Sequence, residues 1–192
     1  VGGRGAGLIG AALLAAALAW WPKLASDYIW SPRAISLQQV QMARMAQEVW
    51  AAPVAVNDLG RVVWRNPFYV LDLFGLGNAQ ALAARAQGQA GWVGRLLDGY
   101  EIDLAMVYEH WFGADLRAAG WQRVGILGQS NPHIGALAGI EVAFYARPNA
   151  LARAGSAFAL WAEGLPQDAR ALVEIGADGA ALPTPRIVEG RP

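Results

Sequence analysis

The chain has 192 residues, of which 55% are hydrophobic, and its 15 basic and 15 acidic side chains give a formal net charge of zero. Because there is no basic excess, nucleic acid is not expected as a partner. The chain contains no cysteine, which excludes disulfides, cysteine zinc sites and thiol catalysis. Its length allows one domain with a sizeable core behind an N-terminal apolar segment.

An uncharged apolar run opens the chain. Residues 5–21 are 17 positions without a charge. As an α-helix this run would be about 26 Å long, close to the ~30 Å hydrocarbon core of a bilayer. Trp20 and Trp21 stand where aromatic residues are enriched at a membrane interface. We therefore expect a transmembrane helix over residues 5–22, with lipid as its partner.

Two details of this run point in different directions. Small residues recur every fourth position on one face, and such a ridge favours contact with other transmembrane helices; they are Gly7, Ala11, Ala15 and Ala19. Ala17-Leu18-Ala19, however, matches the cleavage pattern of a secretory signal peptide. We favour the retained helix, and the cleaved signal remains the alternative.

Helical and strand patterns alternate along the rest of the chain. An amphipathic connecting helix is expected over residues 23–52, and an α/β domain over 53–165. Strands are expected at 54–58, 61–65, 68–76, 102–109, 122–128 and 139–147, and helices at 78–85, 92–100, 110–119 and 151–165. Residues 166–192 are rich in Gly and Pro and are expected to form a flexible tail.

These elements predict an α/β fold with a mostly parallel sheet, flanked by helices and bearing an antiparallel edge. The strand at 68–76 is continuous and apolar, which predicts a central position with both faces buried. The strands at 122–128 and 139–147 are expected to pair as an antiparallel hairpin.

Polar side chains follow three of the predicted strands. Asn57 and Asp58 lie at the end of the strand 54–58, and Asp72 lies near the end of 68–76. Glu109 and His110 lie at the end of the strand 102–109. Open α/β sheets bind ligands at the carboxyl ends of parallel strands, so these five residues form the candidate binding site. Carboxylates with one histidine could also serve as general acids and bases. We favour the structural alternative, in which they cap turns and helix ends.

Known motifs for cofactor chemistry are incomplete or missing in this sequence. Gly75-Leu76-Gly77 lacks the third glycine of a dinucleotide fingerprint, because Gln80 stands there. Neither a P-loop nor a G-x-S-x-G elbow occurs, and the two histidines lack metal-ligand spacing. We expect no catalytic residue, no metal and no cofactor in this chain.

Five segments, in this order, resemble one bacterial family. They are QQVQMARMAQEV (38–49), VAVNDLG (54–60), VLDLFGL (70–76), IDLAMVYEHWF (102–112) and IEVAFYAR (140–147). The pattern is similar to the soluble C-terminal domain of membrane glycosyltransferases of the GT-C type, such as aminoarabinose and mannosyl transferases, which use a polyprenyl-phosphate sugar donor. The chain departs from that pattern at RVVWR (61–65) and in its extended C-terminal segment.

The resemblance implies a bacterial inner-membrane location, with an extracytoplasmic (periplasmic) lobe and the last membrane helix of a larger enzyme. It further implies that the catalytic acid lies in another part of that enzyme, so this lobe would be non-catalytic. The partners would be other transmembrane helices and a lipid-linked sugar or a glycan acceptor. Two alternatives remain: a membrane-tethered or periplasmic binding module, and a small enzyme that uses Asp58, Asp72 and His110.

Overall fold

The computed structural model describes residues 2–130, 133 and 135–191, with side chains described from residue 5 onward. The helices are α1 (Gly2–Leu37), α2 (Gln39–Arg44), α3 (Gly60–Val63), α4 (Ala79–Ala86), α5 (Trp92–Gly99), α6 (Ala114–Ala118) and α7 (Leu151–Ala162). The strands are β1 (Val54–Val56), β2 (Val70–Asp72), β3 (Leu104–Val107), β4 (Gln122–Gln129), β5 (Val142–Ala146), β6 (Ala169–Ile175) and β7 (Ala181–Glu189). A π-helical turn at Met45–Trp50 follows α2, and another at Glu109–Gly113 precedes α6.

Helix α1 is much longer than the predicted transmembrane segment. It has 36 residues, so it is roughly 54 Å long. Only Gln38 interrupts the helical path into α2, so the predicted connecting helix is largely a continuation of α1. Among the described residues, this is the one helix that is both long enough and apolar enough to cross a membrane. None of its most apolar window is buried.

The sheet is mixed rather than mostly parallel. Its seven strands run in the order β2-β1-β3-β5-β4-β6-β7. Strand β1 pairs in parallel with β2 and β3, whereas the other four pairings are antiparallel. The predicted β4–β5 hairpin is confirmed, but β5 inserts between β3 and β4. All five residues of β5 are buried, as suits a strand inside the sheet with helices on both faces.

Two predictions for the segment before β3 are wrong. The apolar run 68–76 contributes only the three-residue strand β2, which lies at the edge of the sheet and not at its centre. Residues 61–65 are not a strand, because Gly60–Val63 forms the short helix α3. Here Val62 is buried while Val63 and Trp64 are exposed, so packing of one side chain outweighs the β propensity of the run.

The C-terminal segment is part of the sheet and not a flexible tail. Strand β6 pairs with β4, and β7 pairs with β6. Buried and less buried residues alternate along β6, which is the period of a half-buried strand. The α/β domain therefore extends beyond the predicted boundary at residue 165, to Glu189.

Helices cover both faces of the sheet. On one face α2 and α7 pack through Met42, Phe158 and Trp161, and Val62 of α3 joins the same core. On the other face lie the buried side chains of α4, α5 and α6. The β1–β2 and β2–β3 connections thus pass on opposite faces, which makes the carboxyl ends of β1 and β3 a topological switch point.

Candidate functional site

The predicted site residues lie at one edge of the sheet, which we call the carboxyl edge. Strands β1, β2 and β3 are parallel neighbours, so the residues that follow them meet there. The structure thus brings Asn57, Asp58, Asp72, Glu109 and His110 to one edge, as their positions in the sequence predict. Their side chains, however, have separate tasks.

Asn57 joins the first and third strands. Its Oδ1 accepts a hydrogen bond of 2.6 Å from the backbone N–H of Tyr108. Asn57 is 5% exposed and Tyr108 1%, so this bond satisfies a buried backbone donor where the ladder has ended. Asn57 is therefore a structural residue that links the ends of β1 and β3 at the switch point.

Asp72 holds the turn that follows β2. Its Oδ1 accepts from the backbone N–H of Phe74 at 2.8 Å, and its Oδ2 accepts from that of Gly77 at 2.6 Å. Gly75 has a φ of +93°, and a Cβ there would lie 2.7 Å from the backbone of Leu82. The glycines thus serve a tight turn, in agreement with the incomplete dinucleotide fingerprint. Both carboxylate oxygens therefore hold the backbone of this turn.

Glu109 belongs to an ion-pair network. It accepts from Arg117 and from the Tyr145 hydroxyl, at 2.8 Å for the latter, and Arg123 lies 3.6 Å from it. Burial by itself would raise the pKa of Glu109, but the hydrogen bonds from Arg117 and Tyr145 outweigh it and lower that pKa. Glu109 is thus a stable carboxylate anchor and not a proton donor near neutral pH.

Asp58 differs from Asp72 and Glu109, because among the described residues it holds neither a turn nor an ion pair. It is partly buried, and burial raises its pKa. The nearby charge of Asp72 raises it further, while the Tyr108 hydroxyl acts in the opposite sense. Burial and the charge of Asp58 also raise the pKa of Tyr108, to about 12. Burial thus makes the protonated form of Asp58 more favourable than in a free aspartate.

Two glutamines that sequence reasoning missed complete this polar cluster. The Tyr108 hydroxyl donates to Oε1 of Gln38 at 2.8 Å, and Nε2 of Gln38 donates to the carbonyl of Gly139 at 2.9 Å. Gln39 is 3% exposed, and within the described residues neither atom of its amide has a hydrogen-bond partner. The signal in the sequence is a run of amides on a buried helical face, since Gln41 is buried as well.

Gly60 brings Asp58 and Gln39 close to each other. A Cβ at Gly60 would lie 2.7 Å from Oε1 of Gln39 and 3.3 Å from Oδ1 of Asp58. A residue with a side chain would therefore displace the Gln39 amide. Glycine at this position keeps the carboxylate and the amide on the same side of the β1–α3 connection.

His110 lies on an aromatic surface beside Tyr108, with ring centroids 6.0 Å apart. It is exposed, and its ring centroid is 5.5 Å from that of Trp111. A groove of about 320 Å³ borders it, lined by Phe74, Arg85, Trp92, Trp111, Phe112 and Asp115. Among the hydrogen bonds of the described residues, none joins His110 to Asp58 or Asp72. The trio of the small-enzyme alternative is therefore not assembled as a hydrogen-bonded unit.

Metal ligation has no visible basis in the described part of the chain. No group of three or more His, Asp or Glu side chains is placed there to hold an ion.

Helix α1 enters the domain at this same edge. Trp30 stacks on His133 with ring centroids 5.2 Å apart, and Arg33 pairs with Asp168, which precedes β6. Gln38 contacts Tyr108 directly after β3. The apolar helix and the polar cluster are thus neighbours at the carboxyl edge.

A family model described as a domain of unknown function (DUF8728) matches residues 32–176, well over half of the chain. The chain belongs to this family. No curated protein matches the chain, and no solved structure does. The DUF8728 match begins where α1 reaches the domain and ends directly after β6. It therefore contains the whole carboxyl edge, while the apolar part of α1 and strand β7 lie outside it.

The raised pKa of Asp58 predicts a pH dependence of DUF8728 stability. In the folded chain the proton is bound more tightly than in the unfolded chain, whose aspartates titrate near pH ~4. The stabilisation from protonated Asp58 is complete below that pH and is lost as the pH rises through the folded pKa. Melting temperatures measured from pH 4 upward should show this loss, and Asp58→Asn should remove it. Glu163→Gln, at an exposed position, is the control and should retain the wild-type profile.

Proposed function

We propose that this chain is the membrane-anchored, non-catalytic lobe of a bacterial membrane glycosyltransferase that uses a lipid-linked sugar donor. In this proposal the lobe lies on the extracytoplasmic side and covers the membrane active site or holds the acceptor. The observation that carries the proposal is the course of α1, which passes from an unburied apolar segment directly into the carboxyl edge of the domain.

The unburied surface of α1 supports a membrane anchor. Its apolar side chains from Leu8 to Ile29 are large and exposed, with Leu13 at 67% and Trp21 at 68%. Contact with water along such a surface is unfavourable by about 25 cal/mol per Å². Lipid or neighbouring transmembrane helices would remove that cost, and the small-residue face of the helix suits close helix contact.

The hydrogen bonds and ion pairs that the acidic residues make support a non-catalytic lobe. Asp72 and Glu109 already use their oxygens to hold a turn and an ion-pair network. Asn57 satisfies a backbone donor. A lobe whose acids stabilise its own loops fits an enzyme whose catalytic acid lies elsewhere.

A membrane-tethered binding module is the second candidate. Two features beyond the C-terminal end of α1 favour it: the amide of Gln39 without a partner among the described residues and the adjacent Asp58 with its raised pKa. An unpaired buried amide is unfavourable by about 1–3 kcal/mol, and a ligand or water that bonded to it would remove this penalty.

Substitution of the two aspartates in the intact membrane enzyme tests the proposal. Asp72→Asn loses a hydrogen-bond acceptor in the turn, and should lower the free energy of unfolding by about 1–2 kcal/mol. Asp58→Asn should leave sugar transfer from a polyprenyl-phosphate donor unchanged, and the isolated 192-residue chain should show no transfer. A loss of turnover of about a hundredfold in Asp58→Asn at unchanged melting temperature would contradict the proposal and favour an enzyme that uses Asp58.

A further inference from the structure

The turn after β2 presents an apolar side chain at the carboxyl edge. Leu76 is 82% exposed, although it lies in a turn that the Asp72 carboxylate clamps at Phe74 and Gly77. The turn is also anchored from α4, since Arg85 donates to the carbonyl of Phe74 at 2.7 Å and lies over its ring. Leu76 is therefore held in solvent by a rigid support.

Trp111 extends this surface. Its ring centroid is 5.1 Å from that of Phe74, and the side chain is 39% exposed although it follows β3 closely. Phe74 and Trp111 line one groove with Arg85, and Leu76 lies in the same turn as Phe74, two residues on; we call Leu76, Phe74 and Trp111 the apolar rim. Tryptophan with leucine and a cation is the combination that settles at the boundary between lipid headgroups and acyl chains.

The course of α1 determines what the rim faces. From Gln39 at the carboxyl edge, α2 and the turn Met45–Trp50 descend along the sheet to the amino end of β1 at Val54. In the other direction α1 leaves past Trp30 and Arg33, which contact His133 and Asp168 at the carboxyl edge. The apolar part of α1 therefore lies beyond the edge that carries the rim.

The distance along α1 keeps that edge near the bilayer. Trp21 ends the apolar run, and Trp30 makes the stacking contact with His133 nine residues later, so the two are about 14 Å apart along the helix. The headgroup layer of one leaflet is about 5–7 Å thick, and a tilt of ~20–40° shortens the vertical separation further. Exposed Tyr28 and Ile29 occupy the intervening turn.

We propose that the rim of Leu76, Phe74 and Trp111 is a second membrane contact, which docks on the lipid interface and turns the carboxyl edge toward the bilayer surface. The proposal rests on the membrane anchor of the proposed function but not on its enzymatic part. With two contacts, the domain would be held at a defined orientation, and the Asp58–Gln39 cluster would lie between the sheet and the lipid surface.

A unique cysteine label tests the proposal in the full chain. Because the sequence contains no cysteine, Leu76→Cys carries an environment-sensitive fluorophore at one site. Asn149→Cys is the matched control, since Asn149 is exposed and follows β5 at the opposite edge of the sheet. The chain is reconstituted in phosphatidylcholine vesicles with a minor fraction of phosphatidylglycerol, and each label is quenched by iodide from water and by doxyl-labelled lipid from the bilayer.

The Leu76 label is expected to show a blue-shifted emission, loss of iodide quenching and quenching by doxyl lipid, while the Asn149 label shows none of these. Equal iodide quenching at both sites would overturn the second contact. Loss of iodide quenching without doxyl quenching would also overturn it, because a second copy or another protein would then cover the rim. Vesicle flotation distinguishes the membrane anchor from the second contact. A chain that does not float with the vesicles lacks the anchor, whereas a floating chain whose Leu76 label is still quenched by iodide lacks only the second contact.

Discussion

Leu13→Arg is expected to release the chain from membranes. Leu13 lies near the middle of the apolar run and is 67% exposed, so no packing in the described domain depends on it. Arginine at the centre of a transmembrane helix is unfavourable by ~2.5–3.5 kcal/mol on insertion scales, where leucine is slightly favourable. The difference corresponds to a reduction of at least about a hundredfold in the equilibrium for insertion. The measurement is the fraction of chain retained in the membrane pellet after alkaline extraction.

Leu13→Ile is the control, because it preserves apolar surface and should be retained like the wild type. Retention of Leu13→Arg at the wild-type level would show that α1 does not cross the bilayer. A mature N-terminus at Trp20, measured by mass spectrometry, would establish the cleaved signal peptide instead. Either result would remove the basis of the anchor and of the second membrane contact.

Trp161→Ala is expected to cause the largest loss of stability in the domain. Trp161 is 0% exposed, and its ring packs against Phe144 and Phe158 at centroid distances of 5.2 and 5.1 Å. Its Nε1 donates to the carbonyl of Gln41 at 3.0 Å. Truncation leaves a cavity and removes this buried hydrogen bond, so the free energy of unfolding should fall by about 3–5 kcal/mol. Chemical denaturation followed by near-UV circular dichroism measures the change.

Trp64→Ala is the matched control for that substitution. Trp64 is 58% exposed, and its truncation should change the free energy of unfolding by about 0.5 kcal/mol or less. Similar losses in the two variants would mean that α7 does not pack on α2 as described. The comparison also tests the connection to α1, because Gln41, which accepts from Trp161, lies one turn beyond the end of that helix.

The polar groups of the carboxyl edge fall into two classes. Asn57, Asp72 and Glu109 are saturated by hydrogen bonds to backbone or to fixed side chains. Gln39 is buried and neither atom of its amide is bonded within the described residues, and beside it lies the partly buried Asp58, whose pKa is raised. Saturated groups stabilise loops, whereas unsaturated groups at a switch point are where a ligand would gain most. A search for ligands of the DUF8728 domain should therefore begin at the Asp58–Gln39 cluster.

Local pattern was sufficient to predict several elements of this protein. The uncharged run predicted the apolar helix, and short apolar segments predicted β1, β3, β4 and β5. The helix predicted at 78–85 is α4, capped by Asn78, whose Oδ1 accepts from the N–H of Ala81. The polar residues after β1, β2 and β3 could be assigned to one edge, because side chains that follow parallel neighbouring strands necessarily meet. All these features depend on residues close together in the sequence.

Strand order, the C-terminal strands and the tasks of the acids depended on distant contacts. β5 lies between β3 and β4 because it pairs with both of these distant strands, and β6 is held in the sheet by pairing with β4. Likewise, Asp58 and Asp72 look alike in the sequence, but only Asp72 meets two backbone donors. Burial and pairing partners are properties of the assembled sheet, because they are set by segments up to a hundred residues away. The sequence by itself therefore determined which residues reach the carboxyl edge, and the tertiary structure decided which of them remain available there.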